Sequence, residues 1–274
     1  FPTDYSMSPH ELAIAVKERG FESLWFPEHS HIPLSRKSQW PAGGDLPKMY
    51  YDVMDPFVGL AAAAAVTKTI KLATGICLVI QRDPIQLAKE VATLDCISGG
   101  RFLFGVGGGW NEDEMADHGT DFKTRFKLME ERIAAMKTIW TQNKPEYHGE
   151  FVNFDPMMTW PKPVQKPHPP ILLGVFDSRV GRARVARRGN GWIPIAFDLA
   201  RTRRSISDVR ERMKAEGRDP DQLTTSILYL PSETGEDTVR EALDCGADRV
   251  ILRVPTEDEK TVLAFMDRFQ KFTG

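Results

Sequence analysis

A chain of 274 residues with 41% apolar and 27% charged side chains and a formal net charge of −2 has the composition of an ordinary globular protein. The balanced charge predicts neither a nucleic-acid nor a membrane-surface partner, and the longest apolar run, residues 60–66, is far short of the ~18 residues a membrane span requires. Three dispersed cysteines, Cys77, Cys96 and Cys245, with no CxxC, predict a reducing cytoplasm and no disulfide frame or zinc knuckle.

In chain order, the sequence begins with Phe1-Pro2, read as the end of a strand whose start is missing. Ser8-Pro9-His10-Glu11 then forms a capping box with proline at the first helical position. Short, nearly continuous apolar runs follow at 23–27, 70–76, 101–107, 170–175, 191–195, 226–230 and 249–254, the pattern of strands buried on both faces of a parallel sheet. Between them lie helices. Asp55-Pro56 and Asp83-Pro84 each pair a cap with an N1 proline, and Thr234 with Asp237 and Thr256 with Glu259 predict two further capping boxes. Gly20, Gly99, Gly189, Gly217 and Gly246 stand where helices end. Phe126, Met129, Ile133, Met136 and Trp140 mark one buried helical stripe.

Strand followed by helix, eight times, predicts an α/β fold: one (β/α)8 TIM barrel over residues 1–274. A doubly wound sheet is the competitor, but no break in the alternation marks a reversal of strand order. Two connections are too long for simple turns: 30–51, after the second strand, and 143–169, before the fifth, the latter a candidate hairpin excursion. In a barrel the chemistry sits where strands end.

Four segments stand at such ends. "GVGGGWNEDE" (105–114) has neither the third glycine of a dinucleotide fingerprint nor the Lys-Ser/Thr of a Walker loop. It reads as a tight turn with Asn111 as N-cap, or as glycines that let a flat ring approach while Asn111 bonds its edge. "PEHSH" (27–31) offers Glu28, His29 and His31; a metal reading needs ligands on later strands that the other histidines do not supply. Gly75 marks a bulge or close approach. "GVFDSRVGRAR" (174–184) ends a strand at Gly174 and Val175, turns through Phe176, Asp177 and Ser178, and opens a basic helix at Arg179. That helix start is a ready anion site, to which Arg182 and Arg184 could add charge.

The segments "GFESLWFPEHSHIP", "LATGICLVIQRDPIQLAKEVATLDCISGGRFLFGVGGGWNEDEM", "HGEFVNF", "PKPVQKPHPPILLG" and "GNGWIPI", spanning most of residues 20–195, resemble the luciferase-like monooxygenase superfamily, and within it the actinobacterial oxidoreductases that use the deazaflavin coenzyme F420. The resemblance implies a luciferase-like barrel with insertions shaping the substrate pocket, a homodimer or higher oligomer, a small-molecule substrate, and F420 (or alternatively FMN) at the mouth. It places Glu28 and His29 at the ring and substrate, a cis peptide at Gly75-Ile76, Gly107, Gly108 and Asn111 at the cofactor, and its phosphate on Gly174, Val175, Phe176, Asp177 and Ser178. One departure matters. The sugar-phosphate dehydrogenases of the superfamily carry a general-acid glutamate where this chain has Gly108 or Gly109, so hydride transfer to or from a carbonyl, alcohol, imine or activated alkene is the expected reaction. A flavin monooxygenase, a metal-dependent hydrolase and a non-catalytic F420 carrier are the alternatives.

Overall fold

Aspartates and serines ahead of prolines or apolar stripes set most helix starts in the computed structural model, which describes residues 1–229 and 235–273. Ser8 and Glu11 close their capping box on α1 (Pro9–Glu18). Strand β1 (Ser23–Phe26) leads to the insertion 30–51, whose regular structure is one short turn, Lys48–Tyr50. Asp55 caps α2 (Pro56–Val66), and β2 (Lys71–Thr74) follows. Asp83 caps α3 (Pro84–Ser98). All six residues of β3 (Phe102–Gly107) are buried, as a strand covered on both faces must be. Asn111 caps α4 (Glu112–Asp117), and α5 (Arg125–Thr141) buries Met129, Ile133, Met136 and Trp140, with Phe126 half-buried.

These elements belong to the first of two units, Phe1–Pro169 with Pro255–Gly274. In it β1 pairs with β2 and β2 with β3, all parallel. The peptide Gly75-Ile76 is cis. Beyond it the ladder resumes, Cys77 N–H donating to Gly105 O and Gly107 N–H to Cys77 O. The segment 143–169 does form a hairpin: β4 (Tyr147–His148) pairs antiparallel with β5 (Asn153–Phe154). It is anchored by two acids, the half-buried Glu131 accepting from the N–H groups of Phe151 and Val152 at 2.7 and 2.8 Å, and the buried Asp95 from the backbone and side-chain amides of Gln165 at 2.9 and 2.7 Å.

The second unit, Pro170–Val254, is again parallel β/α. Its elements are β6 (Ile171–Gly174), α6 (Arg179–Arg188), β7 (Gly191–Trp192), β8 (Ile195–Ala196), α7 (Leu199–Ala215), β9 (Thr224–Tyr229), α8 (Glu236–Asp244) and β10 (Arg249–Ile251). Strand β9 pairs with β7, β8 and β10, and β7 with β6. The chain then returns to the first unit for α9 (Glu259–Phe269).

Several expectations are corrected. The 191–195 strand is two strands, because Pro194 has no N–H to continue a ladder; its carbonyl still accepts from Leu228. Gly189 ends α6 in extended conformation at φ −85°, whereas Gly20, Gly99, Gly217 and Gly246 are left-handed as expected. The cap of α9 is Asp258, not Thr256, whose hydroxyl instead meets Met49 Sδ at 3.3 Å. Residues 1–3 carry no strand, although Pro2 O accepts from Met54 N–H. Thr234 and Leu230 lie outside the described residues.

Candidate active site

Beyond the end of β1 the chain presents two neighbouring side chains with different uses. Glu28 is 7% exposed, and both its oxygens are taken: Oε2 accepts from Leu78 N–H and Oε1 from Arg82 Nε, each at 2.5 Å. Arg82 also bonds Glu90, at 3.0 Å, and Asp55. Burial disfavours the Arg82 guanidinium, but Glu28 and Asp55 outweigh it and hold its pKa above the ordinary arginine range. Glu28 therefore clamps the end of β1 to the turn after Cys77 and presents no open carboxylate oxygen. The reading of Glu28 as a reacting group gives way to that of a clamp. Cys77, at 0% exposure beside Glu28, is kept a thiol by burial and by that carboxylate, which push its pKa well up.

His29 is the opposite case. Its Nδ1 lies 2.7 Å from Glu114 Oε2, with the two side chains 8% and 1% exposed. The other oxygen of Glu114 accepts from Ser30 N–H at 3.1 Å. An ionised carboxylate only accepts, so a hydrogen on Nδ1 suits this contact, and a neutral ring in that tautomer has its lone pair on Nε2. Nε2 has no hydrogen-bond partner among the described residues. His31 turns to a different acid, Asp117, at 3.0 Å, so the two histidines of "PEHSH" do not share a ligand position.

The glycine run serves the chain's own packing. A Cβ on Gly108 would lie 2.7 Å from the Phe126 ring, and Gly109, at φ +66°, would place one 3.1 Å from Leu78. A Cβ on Gly75 would likewise meet Trp25, at 3.3 Å. At Gly75, Gly108 and Gly109 the space a Cβ would take is filled by Trp25, Phe126 and Leu78, so the missing side chain at these three positions answers the chain's own packing. Asn111 is 4% exposed and acts as the expected cap, Oδ1 accepting from Glu114 N–H at 3.4 Å. It thereby seats the helix turn that carries Glu114.

In the second unit, Gly174 ends β6, Val175 follows it buried, and Phe176 is exposed at 55%. Ser178 caps α6 by accepting from Gly181 N–H at 3.0 Å, which leaves the first-turn N–H groups of Arg179 and Val180 without an intrahelical acceptor. Those groups and the exposed Arg179 suit an anion, such as the phosphate of a cofactor tail. Arg182 does not join them. It bonds Asp208 at 2.5 Å and also Asp177, and Asp177 takes Arg201 at 3.0 Å and the Ser205 hydroxyl at 2.8 Å. Burial pushes the Asp177 carboxyl up, but Ser205, Arg182 and Arg201 prevail and hold it below the usual carboxylate range. With its carboxylate so engaged, the Asp177 side chain serves the tie between α6 and α7, and only its backbone N–H could face an anion.

The model of the luciferase-like monooxygenase family matches residues 9–263. The chain belongs to that family. It is 37% identical over 273 residues to an uncharacterized protein of Mycobacterium tuberculosis, covering 98% of this chain and 94% of that one. To an FMNH2-dependent dimethylsulfone monooxygenase of Pseudomonas putida it is 32% identical over 159 residues, 57% of this chain and 43% of that one. A solved F420-dependent secondary alcohol dehydrogenase, in complex with an F420–acetone adduct, superimposes with a TM-score of 0.78 at 17% identity over 99% of this chain and 98% of its own. The fold is thus the luciferase-like TIM barrel of the α/β class, and the protein is a member of an enzyme family of oxidoreductases and monooxygenases. No helix among the described residues is long and apolar enough to cross a membrane.

Sequence reasoning found His29 and missed its partner. Glu114 lies 85 positions away and reads, like Glu112 and Asp113, as an acid favouring a helix start; burial separates it from Glu112, and only its partner separates it from Asp113.

Proposed function

We propose that this protein is an F420-dependent oxidoreductase of the reducing cytoplasm that interconverts a carbonyl compound and its alcohol. The observation that carries the reading is His29: a histidine backed by a buried carboxylate, with Nε2 open. Bound deazaflavin supplies or accepts the hydride. The chain's own part is the proton. In the oxidising direction Nε2 takes it from the substrate hydroxyl while Glu114 stabilises the imidazolium; in the reducing direction Nε2–H returns it to the carbonyl oxygen. Asn111 and Ser30 keep Glu114 in place for both. The first turn of α6, with Ser178 and Arg179, is suited by its own N–H groups and charge to an anion such as a phosphate. The end-to-end likeness to the F420-dependent alcohol dehydrogenase supports the choice of cofactor and of substrate class.

A second reading, an FMN-dependent monooxygenase, is favoured by the sequence likeness to the dimethylsulfone enzyme. Fluorescence titration of the purified protein with F420 and FMN decides between them. The expected result is tighter binding of F420, together with reduction of F420 by a secondary alcohol. Equal or tighter binding of FMN transfers the protein to the second reading.

A further inference from the structure

The open nitrogen of His29 stands among aromatic rings. The Tyr50 ring lies 5.3 Å from that of His29 and the Trp110 ring 5.8 Å, and Trp40 meets Tyr50 edge-on at 5.9 Å. All three are half-buried. Trp40 and Tyr50 come from the insertion 30–51, which has almost no regular structure to hold them.

The stretch that leads into Trp40 is held by the first turn of α4. Asp113, 8% exposed, accepts from the Ser35 hydroxyl and from Lys37 N–H on the same oxygen, both at 2.7 Å, and Glu112 N–H donates to Ser38 Oγ at 2.8 Å. Arg36, between the two residues that grip Asp113, sits at φ +45°, a conformation a non-glycine residue keeps only where its surroundings enforce it. Consecutive acids thus do paired work: Asp113 fixes the insertion and Glu114 fixes His29.

The buried carboxylates nearby, and Asp117, are already matched. Glu114 is taken by His29 and Ser30, Asp113 by Ser35 and Lys37, and Asp117 by His31. The one other acid of that turn, Glu112, is exposed to solvent, so a cation would find no buried unengaged carboxylate here, and an anion would face the acidic first turn of α4. Aromatic rings in such a cluster favour another flat ring, stacked or edge-on, over a flexible chain of equal apolar area.

We propose that the site beside His29 takes a planar, uncharged, ring-bearing ketone or alcohol, its ring held by Trp40, Tyr50 and Trp110 and its oxygen at Nε2, with Asp113 as the positioning residue for the insertion's two rings. This deepens the redox reading of His29 and rests on it for the oxygen's role. The test is binding, not turnover, so the two can fail separately.

Calorimetric titration of the full chain would compare 2-acetonaphthone with 2-undecanone, a flexible methyl ketone of comparable apolar area, and with 2-naphthoate and benzyltrimethylammonium. The expected result is 2-acetonaphthone at least about ten-fold tighter than the other three, a preference of the size that ring–ring contacts supply. Trp40→Leu and Trp110→Leu should each weaken it by roughly three- to ten-fold. Asp113→Asn should narrow the ratio of 2-acetonaphthone to 2-undecanone while leaving 2-undecanone itself unchanged, which general destabilisation would not do. No measurable binding of 2-acetonaphthone, 2-undecanone binding as tightly, either charged probe binding more tightly, or leucine variants with unaltered affinity would overturn the proposal. An unaltered ratio in Asp113→Asn would remove Asp113 from it. A chain that binds 2-acetonaphthone as expected but never transfers hydride to or from F420 would keep the ring site and lose the redox reading.

Discussion

Glu114 in the first unit and Asp177 in the second are both acids set just beyond a parallel strand, and they are used in opposite ways. Glu114 gives one oxygen to an imidazole and one to a backbone N–H, and the imidazole keeps a nitrogen in reserve. Asp177 gathers Arg182, Arg201 and Ser205 and leaves nothing over; through Arg182 and Asp208 it ties α6 to α7. The first unit has its own tie of this second kind, Glu28 with Arg82. The difference lies in what is left over: His29, the partner of Glu114, keeps a nitrogen that the proposed chemistry can use, and the networks of Asp177 and Glu28 keep nothing.

The sharpest way to break that contrast is His29→Ala. Loss of a positioned acid–base group should lower turnover with F420 by roughly 100- to 10,000-fold, with little change in melting temperature. A variant that melts early but keeps its activity per folded molecule would make His29 a packing residue. Arg82→Ala should do the reverse. It leaves Glu28 buried and unpaired, at a cost of about 3–5 kcal/mol in urea unfolding; a loss below about 1 kcal/mol would mean that water satisfies the clamp.

The acid limb of stability tests Asp177. Its folded pKa lies below the unfolded one, so its contribution is complete above the unfolded value and disappears as pH falls through the folded value. Asp177→Asn should therefore flatten the decline in stability below about pH 4, and an unchanged acid limb would count against the network. The smallest effect is expected from Arg201→Ala. That side chain is 58% exposed, and its removal should cost no more than about 1 kcal/mol, measured by the same unfolding. A larger loss would show that the tie depends on its outer member.

Local chemistry made much of this legible. Aspartate before proline can do little but start a helix, and β3, apolar throughout, could only be a strand covered on both faces. Pairings across the chain were not legible. Nothing in the spacing joins His29 to Glu114 or Asp113 to Ser35, since the fold alone brings them together. One need of the glycine run was hidden for the same reason: the group that fills the space of a Cβ at Gly108 is Phe126, eighteen positions on, indistinguishable in sequence from a helix-core aromatic. Pro194 was visible, but read as part of a strand when its lack of an N–H divides one.

Cys77 has a practical consequence. A thiol reacts with alkylating reagents only as thiolate and only when reached, and this one is buried completely and held protonated. Cys245 is buried as well, with its pKa also raised, first by burial. Each is therefore a silent label in the native molecule that becomes modifiable only as its surroundings open. Timed alkylation read by mass spectrometry, one cysteine in each unit, would clock the opening of the clamp at Glu28 against that of the second unit within a single sample.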